Sequence, residues 1–375
     1  MLIIYIIHIL HINIISSNVL QHQLQQLEHS SLYHIKCNDN NNDDIVVSVC
    51  IGTESNCFPF KISTSFDETF ILDGDVYARG YKYKESPTYK DVRTTLGRRY
   101  NDDFITGRYA IDDFHIQHTD IVIKQLQFIK VEKGITLNTT TTTSYIGVIG
   151  IGNEYAHSYK ECGLFEKVFQ MLKGTQRNIS LMKHNIFIGS DMNMIKRLSQ
   201  GKVMKRCNMI SDYYSSNRNI IACQIDSSFI YDERYSYIEH KSGRENIKFN
   251  YDIDDMYIPY HVYEYIKMLI LPSKGECYEN ITHNGKHIIQ CNFNNDNYAI
   301  KNEIYLNLQQ RKIFMFINNF TMRFILYDLF NWNEMYFRGI YHEKHNEWIL
   351  GKHFLNRYIL TIDKHDNYIY ITNNS

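Results

Sequence analysis

The stretch Phe58-Pro-Phe-Lys-Ile-Ser-Thr-Ser-Phe-Asp-Glu-Thr-Phe-Ile71 decides how this chain is read. A short run rich in aromatic and β-branched residues, Phe58 to Ile62, gives way to a hydroxyl-bearing turn, Ser63-Thr64-Ser65. A second apolar step, Phe70-Ile71, follows. Other runs share the first run's character: Ile45-Val-Val-Ser-Val49, Ile121-Val-Ile123, Ile146-Gly-Val-Ile-Gly-Ile151, Ile313-Phe-Met-Phe-Ile317 and Tyr358-Ile-Leu-Thr-Ile362. Each is short and bounded by polar turn residues, which is the signature of strands. Helical patterns are few. Leu164, Phe165, Val168, Phe169 and Leu172 share one helix face, and Val262, Ile266 and Ile270 share another after Pro259. Many strands and two or three short helices predict an all-β chain.

Composition agrees. The chain has 375 residues, 44% apolar and 22% charged, which suits two globular lobes that each bury a core. With 30 Tyr, 20 Phe and only 4 Pro, it favours strands. The 40 basic and 41 acidic residues leave a formal charge of −1, so no basic surplus points to nucleic acid or an anionic membrane. The apolar run Met1 to Leu10, followed by Ser16 and Ser17, reads as a signal peptide over residues 1–17; a buried N-terminal strand is the alternative. No other stretch is long and apolar enough to span a bilayer. Residues 18–44, ending in the Asn38–Asp44 tract, read as a short polar leader, and Thr139 to Thr143 as a surface loop. Eight cysteines without a C-x-x-C pair suit an oxidising compartment rather than a zinc site. Sequons stand at Asn138, Asn178, Asn280, Asn319 and Asn373. The chain is expected to be secreted or to reside in an endomembrane compartment. It is expected to bind no metal or cofactor and to act as a monomer.

An ordered series of segments, from about Ile45 onward, resembles the pepsin-like aspartic peptidases. Val49-Cys-Ile-Gly-Thr53 is similar to the family's Ile-Gly-Thr turn. Phe58 to Ile71 is similar to its first active-site segment, with Ser63 at the catalytic Asp position, Thr64 matching and Ser65 replacing Gly. Tyr100 to Gly107, with Asp112, resembles the flap hairpin, whose Tyr100 and Asp102 would face substrate. Gly147 to Gly152 resembles the Gly-Ile-Leu-Gly-Leu-Gly strand, and Gly189-Ser-Asp191 the start of the crossover. The most specific match is Trp348-Ile-Leu-Gly-Lys-His-Phe-Leu355 with Tyr358 to Asp363. For the second active-site segment two registers are open. Asn250 precedes Pro259 and His261-Val-Tyr263 at the family's spacing; Asp226, in Ile225-Asp-Ser-Ser228, lacks the Pro. Asn250 is preferred, with Tyr251 in place of a small hydroxyl residue.

The resemblance implies a two-lobed fold, residues 45–185 and 186–375, with a peptide or protein ligand in the cleft between lobes. It implies a disulfide between Cys277 and Cys291; Cys50 and Cys57 flank the Ile-Gly-Thr turn as a candidate hairpin clip. The family's chemistry needs two carboxylates sharing a proton, one acting as acid and one as base. Ser63 and Asn250 do not titrate in any useful range, and Asp67, Asp252, Asp254 and Asp255 lie out of register. The expectation is therefore a pseudopeptidase that retains binding. The rivals are an active aspartic endopeptidase using Asp226 or a displaced carboxylate, and an inhibitor-like or structural secreted glycoprotein acting through its outer surface.

Overall fold

The computed structural model describes residues 33–37, 44–100, 103–134, 145–152, 163–172, 177–190, 205–210, 221–234, 237–271, 276–282, 284–293, 298–317, 320–342 and 347–373. The expected signal peptide, most of the polar leader, Asn101, Asp102, Asn138, the threonine run, Cys162, Asp191 and Asn319 lie outside these residues. The chain divides into two units. One comprises the chain up to Lys205 with Ser211–Ile221 and Leu355–Ser375; the other comprises Arg206–Ile210 and Ala222–Phe354. The expected lobes, residues 45–185 and 186–375, divide the chain at a different place. Strand Tyr358–Asp363 pairs with Asn178–Met182, Leu360 opposite Leu181 and Ile362 opposite Ile179, so the last strands return to the first unit.

In the first unit the strands are β1 (Tyr33–Lys36), β2 (Val46–Ile51), β3 (Cys57–Ser63), β4 (Thr69–Leu72), β5 (Lys90–Tyr100), β6 (Asp103–Ile116), β7 (Val122–Lys133), β8 (Gly147–Gly150), β9 (Asn178–Met182) and β10 (Asn185–Ile188). One sheet runs β2-β3-β8-β4-β7-β6-β5, and β2 also pairs with β6, which closes the sheet on itself. The fully buried β8 lies between β3 and β4, so its run Gly147-Val-Ile-Gly150 carries no polar side chain. Phe66, Phe70, Leu72, Ile105, Tyr109, Ile129, Val131 and Val148 pack as one core cluster inside this sheet. Burying each large apolar side chain contributes roughly 1.5–3 kcal/mol against leaving it exposed. A second sheet places β1, β10, β9, Tyr358–Asp363 and Tyr368–Asn373 side by side. Asn178 on β9 is fully buried, donates to the Ser190 carbonyl at 3.1 Å and accepts from the Ser190 amide at 3.0 Å. Its sequon is therefore closed to a glycan in the folded chain. The Asn280 sequon is exposed.

The second unit is also mainly sheet. One sheet runs Ile221–Ile225, Glu245–Phe249, Trp348–Leu350, Met256–Tyr257, Gly339–His342, Lys286–Cys291, Tyr336–Phe337 and Phe330–Asn331, with Cys277–Ile281 hairpinned onto Lys286–Cys291. Another runs Tyr237–Ser242, Ser227–Asp232, Arg311–Ile317 and Phe320–Ile325. Helix Tyr260–Ile270 buries Val262, Tyr263, Ile266 and Ile270 on one face. It begins at Pro259, whose fixed φ suits a helix start. The apolar Phe324 to Phe330 stretch belongs to this unit's core, with Leu326 and Leu329 fully buried.

The expected pairs Cys50–Cys57 and Cys277–Cys291 are both bonded, with Cα atoms 3.7 and 3.9 Å apart. Each joins directly opposite residues of a hairpin. Cys207–Cys223 is a third bridge that the sequence did not signal. Among the described residues no helix is long and apolar enough to cross a membrane.

Candidate functional site

The first loop begins where β3 ends. β8 runs parallel to β3 with Phe60 opposite Gly147 and Ser63 opposite Gly150, and antiparallel to β4 with Phe70 opposite Val148. A third strand is thus inserted between the two strands that residues 64–68 connect. The loop is stitched to it by backbone bonds: Ile151 N–H to Ser63 O at 2.8 Å, Gly150 N–H to Glu68 O at 2.9 Å, and Gly152 N–H to Phe66 O at 2.8 Å. Ser63 and Thr64 are fully buried. The Ser65 amide donates to Ser63 Oγ at 3.3 Å, and the two hydroxyl oxygens lie 3.3 Å apart. Gly150 is required here, because a Cβ would stand 2.4 Å from the Phe66 carbonyl oxygen.

The second unit repeats the arrangement. Glu245–Phe249 runs parallel to Trp348–Leu350 with Phe249 opposite Leu350, and Trp348–Leu350 meets Met256–Tyr257 antiparallel with Tyr257 opposite Ile349. One step further along this register, Asn250 falls opposite Gly351, as Ser63 falls opposite Gly150. Ser63 to Phe70 and Asn250 to Tyr257 span the same number of residues. The next neighbours match as well: Phe70 pairs in parallel with Ile129, and Tyr257 with Ile340. The Asn250 amide donates to Leu350 O at 2.9 Å and the Lys352 amide to Ile253 O at 2.8 Å. The Asp252 amide donates to Asn250 Oδ1 at 2.9 Å, the counterpart of the Ser65 to Ser63 bond. Tyr251, next to Asn250, is buried, and burial raises its hydroxyl pKa above the ordinary value. Asp226 sits elsewhere, exposed between strands Ile221–Ile225 and Ser227–Asp232.

The hairpin identified from the sequence is formed by β5 and β6, paired from Lys90 opposite Ile111 to Tyr100 opposite Asp103. Of the expected contact residues, Tyr100 is placed at the end of β5 and Asp102 lies outside the described residues. Asp112 on β6 is fully buried and accepts bonds from Tyr81 Oη at 2.7 Å, Ser86 Oγ at 3.0 Å and Thr88 Oγ1. Two of the out-of-register carboxylates, Asp254 and Asp255, have defined structural partners. Asp254 is ion-paired with Lys352 at 2.7 Å and is mostly exposed. Asp255 accepts from Tyr336 Oη and Arg338 Nη1, both at 3.1 Å. Burial lifts the Asp255 pKa above the ordinary carboxylate value, while Arg338 opposes the rise.

Sequence reasoning missed two features of these loops. Each strand leading into a loop carries a buried lysine, Lys61 paired with Asp44 at 3.3 Å and Lys248 paired with Glu347. Each loop also ends on a carboxylate at the same offset, Glu68 and Asp255, held by an arginine and a tyrosine. The matched spacing of both pairs was visible in the sequence once Ser63 and Asn250 were aligned; the partners were not.

The chemistry that these loops can support is narrow. A serine hydroxyl and an asparagine amide can hydrogen-bond water or a polypeptide backbone, but neither gains or loses a proton as a carboxylate does. Among the described residues no group of three or more His, Cys, Asp or Glu could hold a metal ion. No model of a known protein family matches the chain, and no curated protein matches it.

Proposed function

We propose that this chain is a degenerate pepsin-like protein that binds an extended polypeptide without hydrolysing it. One observation carries the reading. Two loops with the same strand insertion, register and length begin on Ser63 and Asn250, where the sequence resemblance expects catalytic carboxylates. The scaffold is kept at both loops while the proton-transferring groups are replaced. Main-chain bonding to a ligand strand needs no titrating group, and the β5–β6 hairpin is an element of the kind that supplies it. The experiment is a peptide-library screen on the folded chain. Enrichment of extended sequences, weakened by about 1–3 kcal/mol in Tyr100→Ala, is expected for an aromatic anchor. A screen with no enrichment, or enrichment indifferent to Tyr100→Ala, would overturn the reading in favour of an outer-surface role.

A further inference from the structure

We infer that Arg98 and Arg338 are matched positioning residues, each clamping one of the two loops through the carboxylate at its end. In the first unit Arg98 Nε donates to Glu68 Oε2 at 2.8 Å and Arg98 Nη2 to the Tyr109 hydroxyl oxygen at 2.8 Å. Tyr109 Oη then donates to Glu68 Oε1 at 3.0 Å, closing a ring of three side chains. Glu68 and Tyr109 are buried, and the Arg98 side chain is about one-third exposed. In the second unit Asp255 likewise accepts from a tyrosine and an arginine, Tyr336 Oη and Arg338 Nη1, but here the guanidinium carbon lies 5.7 Å from the Tyr336 ring centre.

The two carboxylates stand at equivalent points, each just before the strand that flanks the inserted strand. Their partners do not. Arg98 and Tyr109 come from the β5–β6 hairpin, whereas Tyr336 and Arg338 come from the segment running into Gly339–His342. The same chemistry is thus assembled at one loop position from two different sources, which marks the position as one that must be held. A buried carboxylate without a partner is costly, so an arginine that satisfies it fixes the loop backbone from which it springs. In the first unit the clamp also ties that loop to the hairpin. The Glu68 carbonyl accepts the Gly150 amide, so the clamp, the loop and the inserted strand form one connected set. The clamps position the loops on which the proposed function rests. Their own test needs no ligand, so its failure is distinct from failure of that reading.

The test is native-state amide exchange on the full chain with Arg98→Met and Arg338→Met. Arg98→Met is expected to speed exchange by about 10- to 100-fold at Gly150, Gly152 and the cross-strand amides of β5–β6, as loss of one partner of a part-buried pair does. Met256 and Lys352, whose amides bond within the second unit, stay at wild-type rates. Arg338→Met gives the converse pattern and raises the Asp255 pKa, read by carboxyl carbon resonance. In Arg98→Lys, which keeps the charge but not the fork, the same amides should change in the same places by a smaller factor. This variant carries the test if Arg98→Met does not fold. Unchanged rates at these amides, or a uniform rise through both units, would overturn the inference.

Discussion

Replacing Gly351 by alanine puts a methyl carbon 2.0 Å from the Asp255 carbonyl oxygen and 2.8 Å from those of Asp254 and Ile253. A carbon ordinarily keeps about 3.3 Å or more from such an oxygen. The loop from Ile253 to Asp255 must therefore retreat by more than an ångström, and all three contacts are backbone, so no side chain can swing aside. Overpacking of this kind costs about 1–3 kcal/mol, and the Lys352 to Ile253 hydrogen bond, worth about 1 kcal/mol, is stretched as well. The expected loss is about 3 kcal/mol, or roughly a hundredfold in the local opening constant. Native-state hydrogen exchange at the Asn250 and Lys352 amides reads it directly. Gly150→Ala should do the same in the first unit, where the Cβ would meet Phe66 O at 2.4 Å. Gly243→Ala is the control: it is exposed with nothing within 4 Å, and its effect should stay within about 0.5 kcal/mol. If Gly351→Ala costs no more than Gly243→Ala, the close crossing of loop and inserted strand is wrong.

Two further outcomes follow from the ion pairs and bridges. Removing Cys277–Cys291 by a double serine substitution should lower stability by about 3 kcal/mol, as expected for closing a loop of this length, read by denaturant unfolding against the oxidised chain. Burial works against the charge of fully buried Asp232, but Arg234 and Arg311 outweigh it and hold its pKa below the ordinary carboxylate value. With the folded pKa depressed, its contribution is complete above the unfolded value near pH 4 and is lost as pH falls through the folded one. The stability gap between wild type and Asp232→Asn should therefore be widest at neutral pH and narrow below about pH 4; a gap that widens in acid would contradict the pairing.

Much of the fold was legible because the strands are short, β-branched and fenced by polar turns. Phe58 to Ile62 lies within β3, Ile146 to Ile151 encloses β8, and Ile313 to Ile317 lies within Arg311–Ile317. Helices Leu164–Met171 and Tyr260–Ile270 showed their apolar faces. Helix Tyr298–Gln309 did not, because its apolar residues do not gather on one face: Ile304 and Leu308 are buried while Leu306 is exposed. Ser63 was found because Phe58 to Ile71 resembles a family segment, and Asn250 through the spacing to Pro259 that the same resemblance expects. The clamps were hidden because Glu68 meets Arg98 and Tyr109 only when the hairpin folds back over the loop. Lys61 and Lys248 read as ordinary polar positions, since nothing local shows that Asp44 and Glu347 will be drawn in beside them. Asn178 carried a surface signal, the sequon, and is buried because its side chain caps the Ser190 backbone.

The proposed function is polypeptide binding without hydrolysis, at loops that carry Ser63 and Asn250 in place of a proton-sharing pair of carboxylates. Incubating the folded chain with acid-denatured globin or a peptide library across pH 2 to 7 tests it most directly. The account predicts no cleavage above the buffer control at any pH in that range. Turnover that Asp226→Asn or Asp252→Asn abolishes would contradict it, by placing a working carboxylate outside the Ser63 and Asn250 positions.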